Sequence, residues 1–363
     1  SSMRLLQLLS GAPQGGAETF FVSLATAFER ARAQGTVDLA QRAVIRRNAE
    51  RAAALRAGGV DVRELGFGGA LDLATRHGLK REVADFRPDV VLAYMNRAAS
   101  WMPAGDFLKC ARLGGYYDIK YYRRCDHLLC ITEHIRQHMI SQGWPEHRAH
   151  VLENFATVDD LPAADRAAHD TPADAPLLLV PSRLHVNKGL DVMLRALARA
   201  PRAYLWLAGS GPEADRLKDL ATELGVQDRV RFLGWRSDRG ALFRAADVVV
   251  FPSRHEPFGT VSLEAWAYRR PLVAADASGP AGLVRDGDDA LLVPREDDAA
   301  LAAAISRVID TPDFARALVE RGHARYLRDY TEEACVRRYL ETLGRLSGTD
   351  PLGVGTARRA AAG

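Results

Sequence analysis

Only four cysteines occur in the 363 residues (Cys110, Cys125, Cys130 and Cys335), and their spacing fits no metal site. That scarcity favours reduced core thiols in a cytoplasmic protein over a disulfide framework. No apolar run approaches the roughly 18–20 residues that a membrane span needs. Nothing reads as a signal peptide, and Ser1-Ser2 ahead of Met3 reads as an expression scar. Neither sign of charge dominates, since 49 Lys+Arg stand against 46 Asp+Glu for a net charge of +3. So small an excess gives a nucleic acid no electrostatic footprint, and no DNA- or RNA-binding signature occurs. A P-loop, a G-x-S-x-G elbow and a His/Cys/Glu cluster for zinc are all missing.

What is present is an ordinary globular composition, 47% hydrophobic and 26% charged, on a chain long enough for two domains. Strand patterns at 3–9, 36–45, 60–65, 90–95, 109–114 and 127–132 alternate with helical ones such as 19–33. A second series at 177–184, 203–209, 230–235, 247–253, 271–276 and 290–294 does the same. Such alternation predicts two Rossmann-like, doubly wound α/β domains facing across a cleft, with the ligand at the carboxyl ends of the strands. The Ala/Asp/Pro-rich stretch 163–176 has no apolar periodicity and reads as the linker. Residues 301–345 read as helical throughout, and the Gly/Ala tail 348–363 as disordered.

The densest chemistry lies in "SRHEPFGTVSLEAW" (253–266). Glu256 precedes a proline, which pushes it out of helical dihedrals and into a loop. Gly259-Thr260 then caps a helix that carries Glu264, so two acids flank a helix start whose free N–H groups favour anions. Glu264 also reads simply as a favourable first-turn acid. "VPSRLHVNKGLDVML" sets Arg183 and Lys188 between a strand and a helix, where two cations could neutralise a diphosphate without a metal. The same pair fits a solvated surface. Gly15 and Gly16, just after the first strand, allow close backbone approach to a ligand or serve a tight turn. "LAGSGPE" (207–213) lacks the third glycine of a dinucleotide fingerprint and reads as a turn, and "RDGDDALLV" reads as a hairpin turn. "GGYYDIKYYRRCDH" (114–127) mixes tyrosines with cations, as sugar stacking, a headgroup surface or an ordinary amphipathic segment would.

Together "GGAE" (15–18), "SRLHVNKG" (182–189), "AGSGPE" (208–213), "VRFLGW" (230–235) and "FPSRHEPFGTVSLEAWAYRRPLVAAD" (251–276) resemble the retaining GT-B glycosyltransferases of the GT4 family, of the bacterial polysaccharide and lipopolysaccharide type. The resemblance implies an N-terminal acceptor domain at 1–160 and a nucleotide-sugar donor domain at 175–325. A helix at 326–347 would cross back to the first domain. It implies that Glu256 holds hydroxyls of the donor sugar, that the amides of Phe258, Gly259 and Thr260 meet the sugar and distal phosphate, and that Glu264 takes the ribose. Arg183 and Lys188 would grip the diphosphate, Gly15 and Gly16 would approach it, and Trp235-Arg236 would lie where the base is met. Glu256, Arg183 and Lys188 are thus the catalytic candidates, with Glu256 not a nucleophile.

Several positions depart from the family pattern. Arg269-Arg270 precede Pro271 where Gly-x-Pro is usual, Gly282 replaces a frequent acid, and Ala290 replaces a glycine. The N-terminal histidine of many relatives has no counterpart, leaving Tyr116 and Asp118 as acceptor-side candidates. The resulting expectation is a metal-independent, retaining hexosyltransferase using a UDP- or GDP-sugar as substrate, with no cofactor and no nucleic-acid partner. Its acceptor would be a glycan, lipid-linked, of lipopolysaccharide core or exopolysaccharide. Lys80-Arg81, Arg46-Arg47 and residues 116–124 suggest peripheral contact with the inner membrane face. The alternatives are a nucleotide-sugar 2-epimerase of the same fold, or an inactive relative that binds a nucleotide sugar.

Overall fold

Runs such as LLLV (177–180), VVVF (248–251) and LVAA (272–275) are apolar at every position, which suits strands covered on both faces, and every residue in them is buried. The computed structural model of the protein, which describes residues 2–13 and 15–353, assembles such runs into two sheets of parallel strands, one in each of two units.

Unit 1 takes the chain up to Asn154 and again from Glu332. Its strands are β1 (Met3–Leu9), β2 (Leu39–Arg46), β3 (Asp61–Leu65), β4 (Val90–Tyr94), β5 (Leu108–Leu113), β6 (His127–Cys130) and β7 (Ala149–Val151). They lie in the order β3-β2-β1-β4-β5-β6-β7. Between them run α1 (Gly16–Ala33), α2 (Ala49–Ala57), α3 (Leu73–Phe86), α4 (Met95–Ser100) and α5 (Glu133–Ser141). The order reverses between β1 and β4, and that crevice is where a doubly wound sheet binds ligands. A buried polar chain crosses the reversal: Tyr94 Oη donates to Gln7 (2.6 Å), Gln7 to Gln41 (2.8 Å), and Gln41 to Glu29 (3.1 Å).

Unit 2 runs from Phe155 to Thr331. Strands β8 (Leu177–Val180), β9 (Tyr204–Leu207), β10 (Val230–Phe232), β11 (Val248–Phe251), β12 (Leu272–Ala275) and β13 (Leu291–Val293) order as β10-β9-β8-β11-β12-β13. The reversal here falls between β8 and β11, which pair Val248 with Leu178 and Val249 with Leu179. The helices are α6 (Leu190–Ala198), α7 (Ala214–Glu223), α8 (Arg239–Ala245), α9 (Thr260–Ala267), α10 (Ser278–Leu283), α11 (Asp298–Asp310) and α12 (Pro312–Asp329). The last helix, α13 (Glu332–Ser347), belongs to unit 1, where Tyr339 packs within 6.5 Å of the rings of both Phe20 and Phe28 on α1.

Four expectations need correction. Residues 163–176 are no free linker but a strap on unit 2: the Arg166 guanidinium donates to Ala245, Asp247 and Ala175, and Thr171 accepts from the Trp206 indole at 2.9 Å. Polar ties of this kind leave no apolar period to read. The helical region 301–345 breaks twice, once because Pro312 has no N–H to continue α11 and starts α12 instead, and once at Tyr330-Thr331. The tail is ordered to Gly353, with the Pro351 carbonyl accepting from Asp38 N–H at 2.7 Å; residues 354–363 lie outside the described ones. The Asp286–Asp288 turn follows α10 and not a strand, so it is a turn but not a hairpin. Strand β7, at three residues, had escaped the pattern altogether. All four cysteines are buried free thiols, and burial pushes those of Cys125, Cys130 and Cys335 up to about 12.

The β6–β7 pairing brings two histidines together, His127 Nδ1 lying 3.0 Å from His150 Nε2. Burial, and after it the facing His127, Arg345 and Arg136, lowers His150 from 6.5 to about 4; burial and Arg148 lower His127 as well, against Asp126. The folded state therefore prefers the neutral ring. The stability this supplies is complete above the unfolded value of 6.5 and is lost as pH falls towards 4. In urea unfolding at stepped pH, the wild-type midpoint should drop across that window more steeply than that of His150→Gln. Parallel curves would remove the histidine pair as the cause.

Candidate functional site

In unit 2 the two motif loops leave the carboxyl ends of β8 and β11, the adjacent strands at the reversal of strand order. After β8 the chain passes Arg183, makes a one-turn 3₁₀ segment at Val186–Lys188 and enters α6 through Gly189. Gly189 has φ +67°, and a Cβ on it would stand 2.0 Å from the Pro252 carbonyl oxygen. Only glycine therefore lets this loop lie against the one that follows β11. From the other side, the Arg254 and His255 N–H groups both donate to the Asn187 carbonyl, at 2.8 and 3.3 Å. The Arg254 guanidinium adds bonds to the Val186 carbonyl (2.8 Å), Asp191 (2.7 Å) and Glu296.

That junction brings Lys188 Nζ to 2.5 Å from Glu256 Oε2, across 68 residues of sequence. Both side chains are mostly shielded, at 24% and 17% exposure. Here an ion pair resists solvent screening better than it would at an open surface. The Glu256 carbonyl is also tied, accepting from Gly279 N–H at 2.8 Å. Arg183 is exposed, and its guanidinium has no partner among the described residues.

Gly259, at φ +82°, starts α9 without any side-chain cap, and Thr260 is the first helical residue. The capping role expected of Gly259-Thr260 thus falls to no side chain; Ser262 N–H donates to the Gly259 carbonyl at 3.2 Å, and the Thr260 and Val261 amides ahead of it keep their hydrogen-bonding capacity. Glu264 lies one turn further on and faces Arg239 of α8, with Nε to Oε2 at 2.5 Å and Nη2 to Oε1 at 2.8 Å. A forked pair of this kind fixes the carboxylate plane. Sequence reading missed Arg239, and no local pattern marks it; the only signal is that an acid within an otherwise buried helix calls for a cation.

Trp235 and Arg236 follow β10 at the sheet edge, away from the reversal. Trp235 is 76% exposed, whereas Arg236 is held by Asp238 at 2.6 and 2.8 Å and lies 3.2 Å from His169. "LAGSGPE" proves to be more than a turn, since the Ser210 carbonyl accepts from Leu184 N–H and the Leu184 carbonyl from Glu213 N–H, both at 3.0 Å, which fixes the Arg183 loop. The unusual Arg270 donates to the Phe243 and Arg244 carbonyls and so closes the end of α8.

The remaining candidates belong to unit 1. Gly15 and Gly16 open α1 after β1, and Glu18 reaches back to accept from Ala12 N–H at 3.0 Å, a loop-closing role that sequence reading did not give it. Tyr116 packs edge-on to His138 at 5.4 Å, and Asp118 caps the Ile119–Tyr122 turn through Lys120 N–H at 2.8 Å. Asp118 thus has a local structural task, which a sequence motif cannot reveal.

Residues 163–325 match the family described as glycosyl transferases, group 1. A lipopolysaccharide core biosynthesis glycosyltransferase of Rhizobium meliloti (strain 1021), LpsE, is 38% identical over 333 residues, covering 91% of this chain and 96% of its own. A second from the same strain, LpsD, is 34% identical over 340 residues, covering 92% and 96%. Among solved structures, a glycosyltransferase from Rickettsia africae superposes with a TM-score of 0.82 at 19% identity, over 95% of this chain and 98% of that one. Anabaena Alr3699/HepE, solved in complex with UDP and glucose, superposes with a TM-score of 0.78 at 21% identity, over 94% and 100%. The structural likenesses fix the fold as GT-B, and identity sustained along nearly the full length of both Rhizobium proteins fixes the kinship: the chain belongs to the group 1 glycosyltransferases.

Proposed function

We propose that the protein is a retaining glycosyltransferase of lipopolysaccharide core assembly, moving a hexose from a UDP- or GDP-sugar to a lipid-linked glycan without a metal. The observation that carries the donor half is the Lys188–Glu256 contact, which joins a phosphate-suited cation to a hydroxyl-suited carboxylate at the reversal of the unit 2 sheet. The Rhizobium relatives support the pathway, and the UDP and glucose bound by HepE support the donor class.

In this reading the bond from the sugar's anomeric carbon to the diphosphate breaks, and one from that carbon to the acceptor oxygen forms on the same face. The acceptor's proton passes to the departing phosphate oxygen. Charge grows on that diphosphate, so the groups that matter are those already aimed at it: Arg183, Lys188 and the amides of Phe258, Gly259 and Thr260. These suffice in kind for the work a divalent cation would otherwise do. Glu256 has lone pairs to spare after meeting one Lys188 proton, and with them accepts sugar hydroxyls. Its charge is already committed to the ammonium, which suits an acceptor of hydrogen bonds and not a nucleophile. Glu264, held flat by Arg239, offers its outer lone pairs to the ribose, and the Trp235-Arg236 backbone meets the base. Within unit 1, Tyr116 and Asp118 are the residues assigned to the acceptor.

Unit 1 also carries the membrane-facing part of the proposal. No helix among the described residues is long and apolar enough to cross a bilayer. Yet Leu71 and Leu73 stand 93% and 73% exposed at the start of α3, which carries exposed Lys80 and Arg81 two turns on, a combination suited to the surface of an anionic membrane.

A thermal-shift screen over nucleotide sugars tests the donor class, since a ligand at 100 times its dissociation constant adds about 2.7 kcal/mol. Stabilisation by neither UDP- nor GDP-sugars would sink the reading, as would acceptor-free epimerisation of a UDP-sugar. Glu256→Ala should cut transfer by about 10²-fold or more while UDP affinity holds or rises, because Lys188 is then released to the phosphates. Lys188→Ala should lower both, with UDP affinity falling about tenfold or more, because Glu256 then faces the diphosphate unpaired. Titration of each variant with UDP, beside a transfer assay, separates the two roles; equal loss of UDP affinity in both variants removes Glu256 from the sugar.

A further inference from the structure

Unit 1 holds a cavity of about 610 Å³ between the turn that follows β3, helix α3 and the α4 segment that follows β4. Its walls are of two kinds. Leu79, Trp101 and Met102 supply an apolar floor, with Met102 and Leu79 buried. Arg76, Lys80, Arg97 and Arg124 supply four cations at the rim, and no carboxylate lines the cavity. By contrast, Arg42 on β2 pairs with Asp61 of β3 and with Glu82 and Asp85 of α3. The four rim cations have no ion pair among the described residues. Arg76 touches only a ring, its guanidinium lying 5.8 Å from the centre of Trp101. Asp72, at the start of α3, is spent on the Gly68 and Thr75 N–H groups (2.8 and 3.0 Å) and the Thr75 hydroxyl (2.7 Å).

Four like charges around one hollow repel one another, and no carboxylate in its lining offsets them. A solvated rim would explain the cations alone. It does not explain an apolar cavity of this size beneath them, nor Leu71 and Leu73 projecting from the same turn with 93% and 73% exposure. An anion met by several cations gains charge-assisted bonds, and an apolar body below it gains burial. We infer that this cavity is a binding site for a phosphate ester carried on an apolar body, taken one molecule at a time: a phosphorylated lipid, either as the anchor of the acceptor glycan or as a bulk phospholipid. The site deepens the proposal of a lipid-linked acceptor and rests on it for its biological role, though its test does not require transfer.

Trp101 reports occupancy directly. Dihexanoyl phosphatidic acid, kept below its micelle concentration, is titrated into the full chain while tryptophan fluorescence is read, with Trp101→Phe identifying the signal. Saturable binding is expected, with glycerol 3-phosphate, which lacks the chains, at least about tenfold weaker. The double variant Arg97→Gln/Arg124→Gln should weaken binding about tenfold or more, and Arg97→Lys/Arg124→Lys should restore most of it. The charge-matched variant Arg216→Gln/Arg316→Gln, on exposed residues of unit 2, should stay within about twofold of wild type. Dihexanoyl phosphatidylglycerol separates the two sources: a preference for the monoester points to the acceptor anchor, and equal binding to membrane phospholipid. Absence of saturable binding, equal affinity for glycerol 3-phosphate, or equal loss in the charge-matched variant would each overturn the inference. UDP thermal shifts on the same samples report separately on the nucleotide site, so failure of one reading is not mistaken for failure of the other.

Discussion

A single ammonium–carboxylate contact closes the junction between the two motif loops of unit 2. Lys188 and Glu256 sit on loops 68 residues apart, and each loop alone is a short irregular segment with little to define it. What defines them is mutual support: the Arg254 and His255 N–H groups on the Asn187 carbonyl, the Arg254 fork around them, and a glycine that admits a carbonyl where a side chain would collide. Because β8 and β11 are hydrogen-bonded neighbours, the loops begin side by side, and the ion pair is the last of several constraints. In the proposed reaction, a transition state that develops charge would meet loops already fixed in place.

A different use of charge runs through the rest of unit 2. Arg166, Arg229, Arg231 and Arg270 all donate to backbone carbonyls, and Arg229 alone collects the Leu197, Ala200 and Ala203 carbonyls at the end of α6. Arg325 donates to the Asp289 carboxylate, which is 1% exposed, and lies 5.1 Å from the centre of the Trp266 ring. These arginines serve as internal fittings of unit 2, while the net charge stays at +3 because 46 acidic residues stand against 49 basic ones. Buried polar ends of loops and helices need partners, and a guanidinium with five donors reaches several at once.

This distribution explains what could be read from the chain beforehand. The strand runs were legible because parallel strands buried on both faces are mostly apolar, and β1 keeps the expected bounds 3–9. The "EPFG" loop was legible because proline and glycine constrain the backbone wherever they occur. The strap at 163–176, the 3-residue β7 and the docked tail were not: the strap and tail are tied by polar bonds to distant residues, and β7 is too short to show a period. Arg239 was invisible for the same reason: its partnership with Glu264 exists only once α8 and α9 pack. At the candidate site, residue types and loop positions could be foreseen, while the ties that hold them there could not.

The path of the chain has a bearing on how the protein is made. Unit 2 interrupts unit 1, whose final helix contributes Tyr339 to the α1 core only after the whole of unit 2 has been written into the polypeptide. On the ribosome, then, the first sheet must wait with Phe20 and Phe28 uncovered while the inserted one matures. The earlier-born half closes last, and exposed aromatic surface during that interval is where a chaperone has most to offer.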